Sequence, residues 1–288
     1  MTDPQTGFHH VLVTRFNVPL VLDISPRAQP VNRGLSAEWL EHRFGLFERF
    51  CLPSVRTQTC QKFTWLVWFD EKTPAPFRER IEKHAATWPV LRPCFVPNFD
   101  TSRLLQEITR ECAAPEPWLL TTRLDNDDAI ATDFMATVQK HVSPAQRNVI
   151  NFPLGFSWSD GRVYLDRQRS NPFTTLVERA EGAMTIFSSD HRYLEKVAEL
   201  KQVKAPPMWM QVIHDRNVCN QVRGVRWPVG TAKKRFALEA SVWGADRPAQ
   251  FLSESVRGVI GLARQKGVAR VAREIGHVIG TQHGKNGE

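Results

Sequence analysis

Three carboxylates stand together in the segment Asp125-Asn126-Asp127-Asp128, directly after an apolar run. The run predicts a buried strand, so the carboxylates reach the edge of a core, where their mutual repulsion is unfavourable. A divalent cation among them, with a diphosphate completing its coordination, makes the arrangement favourable. We predict Asp127 as a direct ligand and Asp125 as a ligand through water or a partner of a ribose, and Asp128 can replace either. The alternative is an acidic cap on a helix predicted over 130–142.

Other polar side chains near predicted strand ends suit the same ligand. Asp70 follows the apolar run 63–69, where its carboxylate can accept hydrogen bonds from a base or a ribose. The alternative for Asp70 is a cap on the turn that follows. Arg15 and Arg123 lie beside strand ends, and guanidinium groups bind phosphate bidentately. For Arg123, an ion pair with the adjacent carboxylates is the alternative.

The elements that must position these residues alternate along the chain. Strand patterns cover 11–16, 63–69, 94–97 and 118–124, and helical patterns cover 36–50, 76–88, 101–113 and 130–142. This alternation indicates βαβ units, a mostly parallel sheet and the α/β fold class. Ligands bind beyond the carboxyl ends of such strands, so Asp70 and the acidic segment are expected on one rim. Pro53 is expected to end or kink the first helix.

The pattern changes after residue 142. Short strands are predicted at 149–152, 156–158, 162–165 and 184–187, with a helix over 191–203. They indicate an antiparallel extension of the sheet. A basic amphipathic helix is predicted over 256–279; it either packs on its own domain or lies on an anionic membrane surface.

Composition restricts the partners. The 288 residues carry a formal net charge of +8, which favours anionic partners. A nucleic-acid surface needs interleaved aromatics and cations, whereas Trp65 and Trp68 have only Lys62 nearby, so no nucleic acid is expected. The five cysteines form no Cys-x-x-Cys pair, which argues against a zinc site or a disulfide framework. Without a signal peptide or a membrane-spanning run, we expect a cytoplasmic protein, with peripheral contact at the inner membrane through the C-terminal helix as the alternative.

Several segments resemble a known family. The matching pieces are Thr14-Arg15-Phe16-Asn17, 53–70, 122–128, Asn171-Pro172-Phe173 and 209–217. The block 53–70, in which Pro-Ser-x-x-x-Gln leads to a strand ending in Asp70, is similar to the opening of a GT-A glycosyltransferase. Together, and in this order, the pieces more closely resemble a bacterial rhamnosyltransferase family over about residues 10–220. One departure is Glu71-Lys72-Thr73 after Asp70, where many GT-A strands end in two or more acidic residues.

The resemblance implies a GT-A-like, Rossmann-like sheet flanked by helices and a metal-dependent glycosyltransferase of the hexosyl type. Such an enzyme transfers a sugar, rhamnose by the family name, from a nucleoside-diphosphate sugar to a hydroxyl of a saccharide or lipid-linked acceptor in bacterial surface-glycan synthesis. The implied domain covers 8–220, with a nucleotide-sugar half at about 8–145 and an acceptor half at about 146–220. A C-terminal extension over 221–288 follows.

The resemblance also implies roles for single residues. His214 joins Asp125 and Asp127 as a ligand of Mg²⁺ or Mn²⁺. The residues expected to bind the donor are Arg15, Gln58, Asp70, Arg123 and Asp125. An inverting transfer needs a general base, for which Glu178 and Asp215 are the candidates.

Two other functions fit parts of the sequence. A metal-dependent phosphohydrolase needs a denser set of histidines and aspartates for two metals, and the nine histidines form no His-x-x-x-His pair. A basic nucleic-acid-binding protein is favoured by the net charge alone.

Overall fold

The computed structural model describes residues 7–20, 33–111, 116–143, 146–216 and 221–266. Its strands are β1 (Phe8–Arg15), β2 (Thr64–Asp70), β3 (Leu91–Val96), β4 (Trp118–Arg123), β5 (Ala129–Ile130), β6 (Asn148–Asn151), β7 (Leu154–Ser159), β8 (Arg162–Arg167), β9 (Thr175–Arg179), β10 (Glu199–Gln202), β11 (Trp209–Val212) and β12 (Val225–Trp227). Its α-helices are α1 (Ala37–Leu46), α2 (Leu52–Arg56), α3 (Ala75–Thr87), α4 (Thr101–Glu111), α5 (Phe134–Lys140), α6 (Val229–Lys233) and α7 (Pro248–Lys266).

Seven strands form the central sheet, in the order β10-β6-β9-β4-β1-β2-β3. All neighbours are parallel except those of β9, which runs antiparallel to both β4 and β6. The order β3-β2-β1-β4 is that of the first half of a doubly wound sheet. The predicted α/β class, with a mostly parallel central sheet flanked by helices, is confirmed.

Strand β2 shows why the sheet is covered on both faces. Successive side chains of a strand point to opposite faces. Trp65, Val67 and Phe69 pack into one apolar cluster with the first helices, while Leu66 and Trp68 pack into a second cluster that includes Leu104 and Ile108 of α4. A near-continuous apolar run is therefore required at a strand that is buried on both faces.

The first helix does not end where the sequence predicts. It continues from α1 through a π-helical turn at Phe47–Cys51 into α2, with Pro53 inside its last segment. Proline has no N–H and its ring crowds the preceding turn of an α-helix. The wider π turn directly before Pro53 gives the ring room, so the chain stays helical to Arg56.

The second sheet has five strands, in the order β12-β8-β7-β11-β5. It is antiparallel except for the parallel pair of β7 and β11. Trp209 of β11 is fully buried, stacks on Phe173 with ring centroids 5.2 Å apart, and faces Gly155 of β7 so closely that a Cβ there would lie 2.0 Å from the indole. Trp209 is thus a core residue that requires glycine opposite it.

Two expectations for the second half are wrong, and one strand was not predicted. The helix predicted over 191–203 is a 3-10 turn at His191–Lys196 followed by β10, because Leu200 and its neighbours pair with β6. The strand predicted at 184–187 is replaced by a 3-10 turn at Ile186–Ser188. The sequence prediction also missed β9, whose five residues include four buried ones.

Helix α7 starts earlier than predicted, at Pro248, and is described to Lys266; positions 267–279 of the predicted helix lie outside the described residues. It packs on β12, where Arg226 bonds to Glu254. Its opposite side exposes Leu252, Val256 and Ile260. Among the described residues, no helix combines the length and apolar character that a bilayer crossing requires.

Candidate active site

The carboxyl ends of β1, β2 and β4 meet at one edge of the central sheet, which we call the rim. Arg15 ends β1, Asp70 ends β2 and Arg123 ends β4, and Asp125 follows two residues later. The structure therefore brings these four predicted donor-binding residues to the same edge.

The acidic loop, residues 125–128, is hydrogen-bonded to both sheets. Asn126 Nδ2 donates to the backbone oxygens of Arg15 at 3.1 Å and Phe16 at 3.0 Å. On the other side, the Val212 N–H donates to Asp128 Oδ1 at 2.8 Å. The loop conformation is thus fixed by the protein itself, which keeps the remaining carboxylates in place before any ligand binds.

Asp127 joins two basic side chains. Its Oδ2 accepts from Arg43 Nη1 at 2.5 Å and from His214 Nε2 at 3.0 Å. Burial acts to raise the pKa of Asp127, but the His214 hydrogen bond and the Arg43 charge outweigh it and leave the pKa below its ordinary value. Asp127 is therefore ionised at neutral pH, between a guanidinium on α1 and an imidazole that follows β11.

Asp125 is paired within its own loop. The Arg123 guanidinium donates to both carboxylate oxygens, with Nε and Nη2 at 3.1 Å from Oδ1 and Nη2 at 3.0 Å from Oδ2. This is the ion pair that the sequence offered as the alternative for Arg123. The Asp125 side chain is 34% exposed, so the pair faces solvent at the rim and can exchange partners.

Asp128 is the buried member of the trio. Burial, together with the negative charges of Asp127 and Asp125, raises the pKa of Asp128 well above its ordinary value. The raised pKa favours the protonated form of Asp128, which lessens the repulsion among the three neighbouring carboxyl groups.

Asp128→Asn is expected to be more stable than the wild type at high pH. A carboxyl whose pKa is higher in the folded than in the unfolded chain stabilises fully below its unfolded pKa of about 4, and this contribution is lost as pH rises through the folded pKa. The asparagine oxygen still accepts from Val212. Thermal midpoints measured between about pH 4 and about pH 9 should diverge in the variant's favour as pH rises; a constant difference would contradict the assignment.

His214 has two differently engaged nitrogens. The Arg216 N–H donates to Nδ1 at 3.3 Å, so Nδ1 carries the lone pair and Nε2 carries the proton that is donated to Asp127. Asp215 Oδ1 lies 4.0 Å from Nδ1. Arg216 in turn pairs with Glu38 of α1 at 2.8 Å, which fixes this segment to the first helix.

His42 of α1 is a residue that the sequence prediction missed. Its ring centroid lies 5.2 Å from that of His214, and its Nε2 is buried with no hydrogen-bond partner among the described residues. Burial and the nearby positive groups lower the pKa of His42, so its ring is neutral at neutral pH. A single histidine on a helix, far from any other in sequence, gives no spacing signal.

Two predicted site residues lie elsewhere. Gln58 is buried in the core, where Nε2 donates to the Ser54 and Ala131 oxygens and Oε1 accepts from Met135 N. Gln58 thus holds α2 against the segment before α5 instead of binding the donor, and the prediction is corrected. Both N–H donors of the amide are used and Gln58 is only 4% exposed, so a ligand at the rim cannot reach it.

The Glu178 prediction is also corrected. Glu178 pairs with Leu119 near the start of β4, about 13 Å along the strand from Arg123 at the rim. Its carboxylate is fully buried and accepts from the Met184 and Thr185 N–H groups. A general base must reach an acceptor hydroxyl, which this position prevents.

Asp70 and Arg15 lie at the rim with protein partners. Asp70 Oδ1 accepts from Lys72 N at 2.7 Å, so it caps the following turn as the alternative proposed. The Arg15 guanidinium lies over the rings of Phe99 at 5.7 Å and Phe187 at 5.2 Å. These rings hold its charge at the sheet edge.

The residues at the rim fit a divalent cation at His214. Asp125 and Asp127, the other predicted ligands, already have arginine partners. In contrast, one ligand atom each of His42, His214 and Asp215 lies within 4.8 Å of the other two. Imidazole and carboxylate groups together bind divalent transition metals.

Comparison with known proteins adds a family match. Residues 9–226 match the model of a family described as "Putative rhamnosyl transferase". No curated protein matches the chain.

Solved structures show distant likenesses. S. aureus TarS 1–349 in complex with UDP-GlcNAc is 10% identical, with 96% of this chain and 71% of that chain covered and a TM-score of 0.44. In its UDP complex, the chain spans 60% of that protein. A "putative nucleotide-diphospho-sugar transferase" from Desulfovibrio desulfuricans is 11% identical, with 72% and 82% covered and a TM-score of 0.35. At these TM-scores the likenesses carry no argument about the site.

Proposed function

The chain belongs to the family described as "Putative rhamnosyl transferase" and is a glycosyltransferase, and we propose that its rim binds the diphosphate of a nucleoside-diphosphate sugar. The observation that carries this proposal is the set of basic groups around the acidic loop. Arg43 and Arg123 both form ion pairs with carboxylates of the acidic loop, and Arg15 lies at the same edge of the sheet. Guanidinium forks bind phosphate oxygens bidentately, so a diphosphate can take over these donors.

Transfer of a sugar builds negative charge on the leaving diphosphate. Donors fixed in advance at that position stabilise the charge without reorganisation. Arg43 and Arg123 supply fixed positive charge, and the carboxylates hold both guanidinium groups in place until the donor arrives. Asp215, with an 81% exposed side chain, lies where an acceptor from solvent can reach it and is the remaining candidate for the general base.

A divalent cation, Mg²⁺ or Mn²⁺, is part of this proposal. Among the predicted ligands, His214 is the one whose position best suits binding of this cation, and Asp125 and Asp127 are the neighbouring carboxylates. When bound, the cation supplies further positive charge to the departing diphosphate.

The acceptor is proposed to be a saccharide or a lipid-linked saccharide of the bacterial surface, with rhamnose as the transferred sugar. Contact with a membrane surface is supported by α7, where Leu252, Val256 and Ile260 are exposed at a spacing of four residues. That spacing places the three side chains on one side of the helix.

The described residues favour a transferase over a two-metal phosphohydrolase. Within them, a single group of three metal-ligating side chains is present, namely His42, His214 and Asp215. A two-metal centre needs ligands for two ions about 4 Å apart.

Binding of the donor is expected to raise the thermal midpoint. A ligand at 100 times its Kd stabilises the folded protein by about 2.7 kcal/mol. The experiment is a thermal-shift panel of UDP, GDP, CDP and dTDP, each with and without Mn²⁺, with the nucleoside monophosphates and Mn²⁺ alone as controls. One diphosphate should give a shift with Mn²⁺ that exceeds the separate effects. If no nucleotide shifts the midpoint at millimolar concentration, the proposed function is wrong.

A further inference from the structure

We infer that the side of α7 turned away from β12 docks on an anionic lipid bilayer. This outward face consists of Leu252, Val256, Arg257 and Ile260, all of which are exposed. The inference rests on the proposed function and deepens its membrane contact, because it fixes which side chains meet the bilayer and which lipid charge they require. It can be tested without sugar transfer.

The inner side of α7 is fixed by its contacts with the second sheet. Glu254 bonds to Arg226 of β12 at 3.2 Å and to Arg162 of β8 at 3.1 Å. Further along the helix, a Cβ at Gly258 would lie 3.1 Å from the backbone oxygen of Gly224. Successive residues of an α-helix are rotated by about 100°, so the three apolar residues of the outward face lie on the side opposite these contacts.

Exposed apolar surface is concentrated at this helix. Among the described residues, six large apolar side chains are exposed, and three of them belong to the outward face. A fourth, Val222, stands two residues before Gly224, against which α7 packs. Single exposed apolar side chains are ordinary, whereas a cluster of them marks a surface that another molecule or a membrane covers.

The charge of α7 indicates the chemistry of that partner. The one acidic residue of the helix, Glu254, faces inward and is paired with two arginines. Arg257 is exposed beside Val256; its Nε donates to the Ser253 oxygen, and no carboxylate in the described part of the chain pairs with it. Residues 255–273 of the sequence contain no acidic side chain and five cationic ones, namely Arg257, Arg264, Lys266, Arg270 and Arg273. Cations beside exposed apolar side chains favour binding to anionic headgroups.

A second copy of the chain fits this face less well. A stable protein interface buries about 800 Å² on each partner and uses about 20–30 residues a side, far more than the outward face offers. Arg257 also adjoins the middle of the apolar stripe, so in a two-fold symmetric pair the two arginines would approach each other and repel. A bilayer requires no such area, because apolar burial and attraction to anionic lipids add together in surface binding.

The test measures flotation of the full chain with lipid vesicles on a density gradient. One set of vesicles contains equal parts of phosphatidylglycerol and phosphatidylcholine, and the other contains phosphatidylcholine alone. The chain should bind the anionic set, and this binding should weaken as salt is raised, because salt screens exposed charges. The neutral set should bind at least about 10-fold more weakly. Equal binding to both sets, or no binding to the anionic set, would overturn the inference.

Two variants and a matched control locate the contact. Arg257→Glu reverses one charge of the outward face and should weaken binding to the anionic vesicles by about 10-fold or more. Lys83→Glu makes the same change at an exposed position of α3, which packs on β3 at an edge of the central sheet, and should keep binding within about twofold. The double variant Leu252→Gln, Val256→Gln leaves the charge unchanged and should also weaken binding by about 10-fold. Equal losses in Arg257→Glu and Lys83→Glu would mean that the net charge alone attracts the vesicles, and the inference would be wrong.

Light scattering and nucleotide binding separate the remaining outcomes. If the wild type is a dimer that the double glutamine variant converts to a monomer, the outward face is an interface between two copies, which also overturns the inference. Four strand spacings, about 19 Å, separate β12 from β5, which follows the acidic loop. The variants of α7 should therefore respond to the nucleotide panel like the wild type. A failed nucleotide panel with intact vesicle binding would refute the proposed function and leave the docking surface standing.

Discussion

Asp127→Asn is expected to lower kcat/KM for sugar transfer about 100-fold. The substitution keeps the shape of the side chain but removes the charge that pairs with Arg43 and orients His214. Asparagine can turn its NH₂ donor toward either group, and the orientation of the His214 ring is then no longer fixed. The measurement uses the nucleoside-diphosphate sugar whose base the thermal-shift panel selects.

Asp133, which directly precedes α5, offers a matched control. Asp133 also pairs with an arginine through two oxygens, at 3.0 and 2.7 Å from Arg235, but it lies outside the rim. Asp133→Asn should leave kcat/KM within about twofold of the wild type. Equal losses in the two variants would mean that the Asp127 effect is one of general stability. A kcat/KM of Asp127→Asn close to that of the wild type would refute the role given to this carboxylate.

Arg226→Ala is expected to lower the free energy of unfolding by about 3 kcal/mol. Arg226 of β12 is 2% exposed and binds Asp246 at 2.7 Å and Glu254 of α7 at 3.2 Å. Removal of one partner from a buried ionic group leaves the others without a counter-charge in a poorly solvated place. The partial exposure of Asp246, at 32%, keeps the expected loss at the lower end.

Denaturant unfolding at equilibrium measures this loss. Arg247→Ala, which removes an exposed arginine from the turn just before α7, should change stability by no more than about 0.5 kcal/mol. A large loss in both variants, or in neither, would show that the link between β12 and α7 contributes no specific stability. A separate early transition in the Arg226 variant would instead mean that α7 unfolds on its own.

The sequence predicted the rim because strand signals are local. The run in β2 ends at Asp70 and that in β4 ends just before the acidic loop, so a parallel sheet necessarily brings the two ends together. The same local reasoning failed at β9, where a short strand after a proline-containing turn enters the central sheet antiparallel. Its partners β4 and β6 are distant in sequence, and pairing between distant strands leaves no periodic trace in either one.

The roles of single residues were harder to predict than their positions. Gln58 and Glu178 are polar residues inside elements, and each satisfies backbone groups of a neighbouring segment. Polar residues with such structural roles look the same in sequence as ligand-binding ones. His42 shows the opposite failure: it is brought to His214 only by the packing of α1 on the rim, which a single sequence does not encode in any motif.

The π-helical turn at Phe47–Cys51 separates the part of the first helix that contacts the rim from the part that packs in the core. It adds a residue relative to uninterrupted α-helix, so the residues before it are rotated by roughly 100° against those after it. His42 and Arg43 stand before the turn and Val55 stands after it. If one residue were deleted here, the part of the helix before the turn would rotate relative to the part after it. Either the contacts of Arg43 with the acidic loop or the core contacts of Val55 would then be lost. The number of residues in this stretch is therefore constrained more tightly than their types.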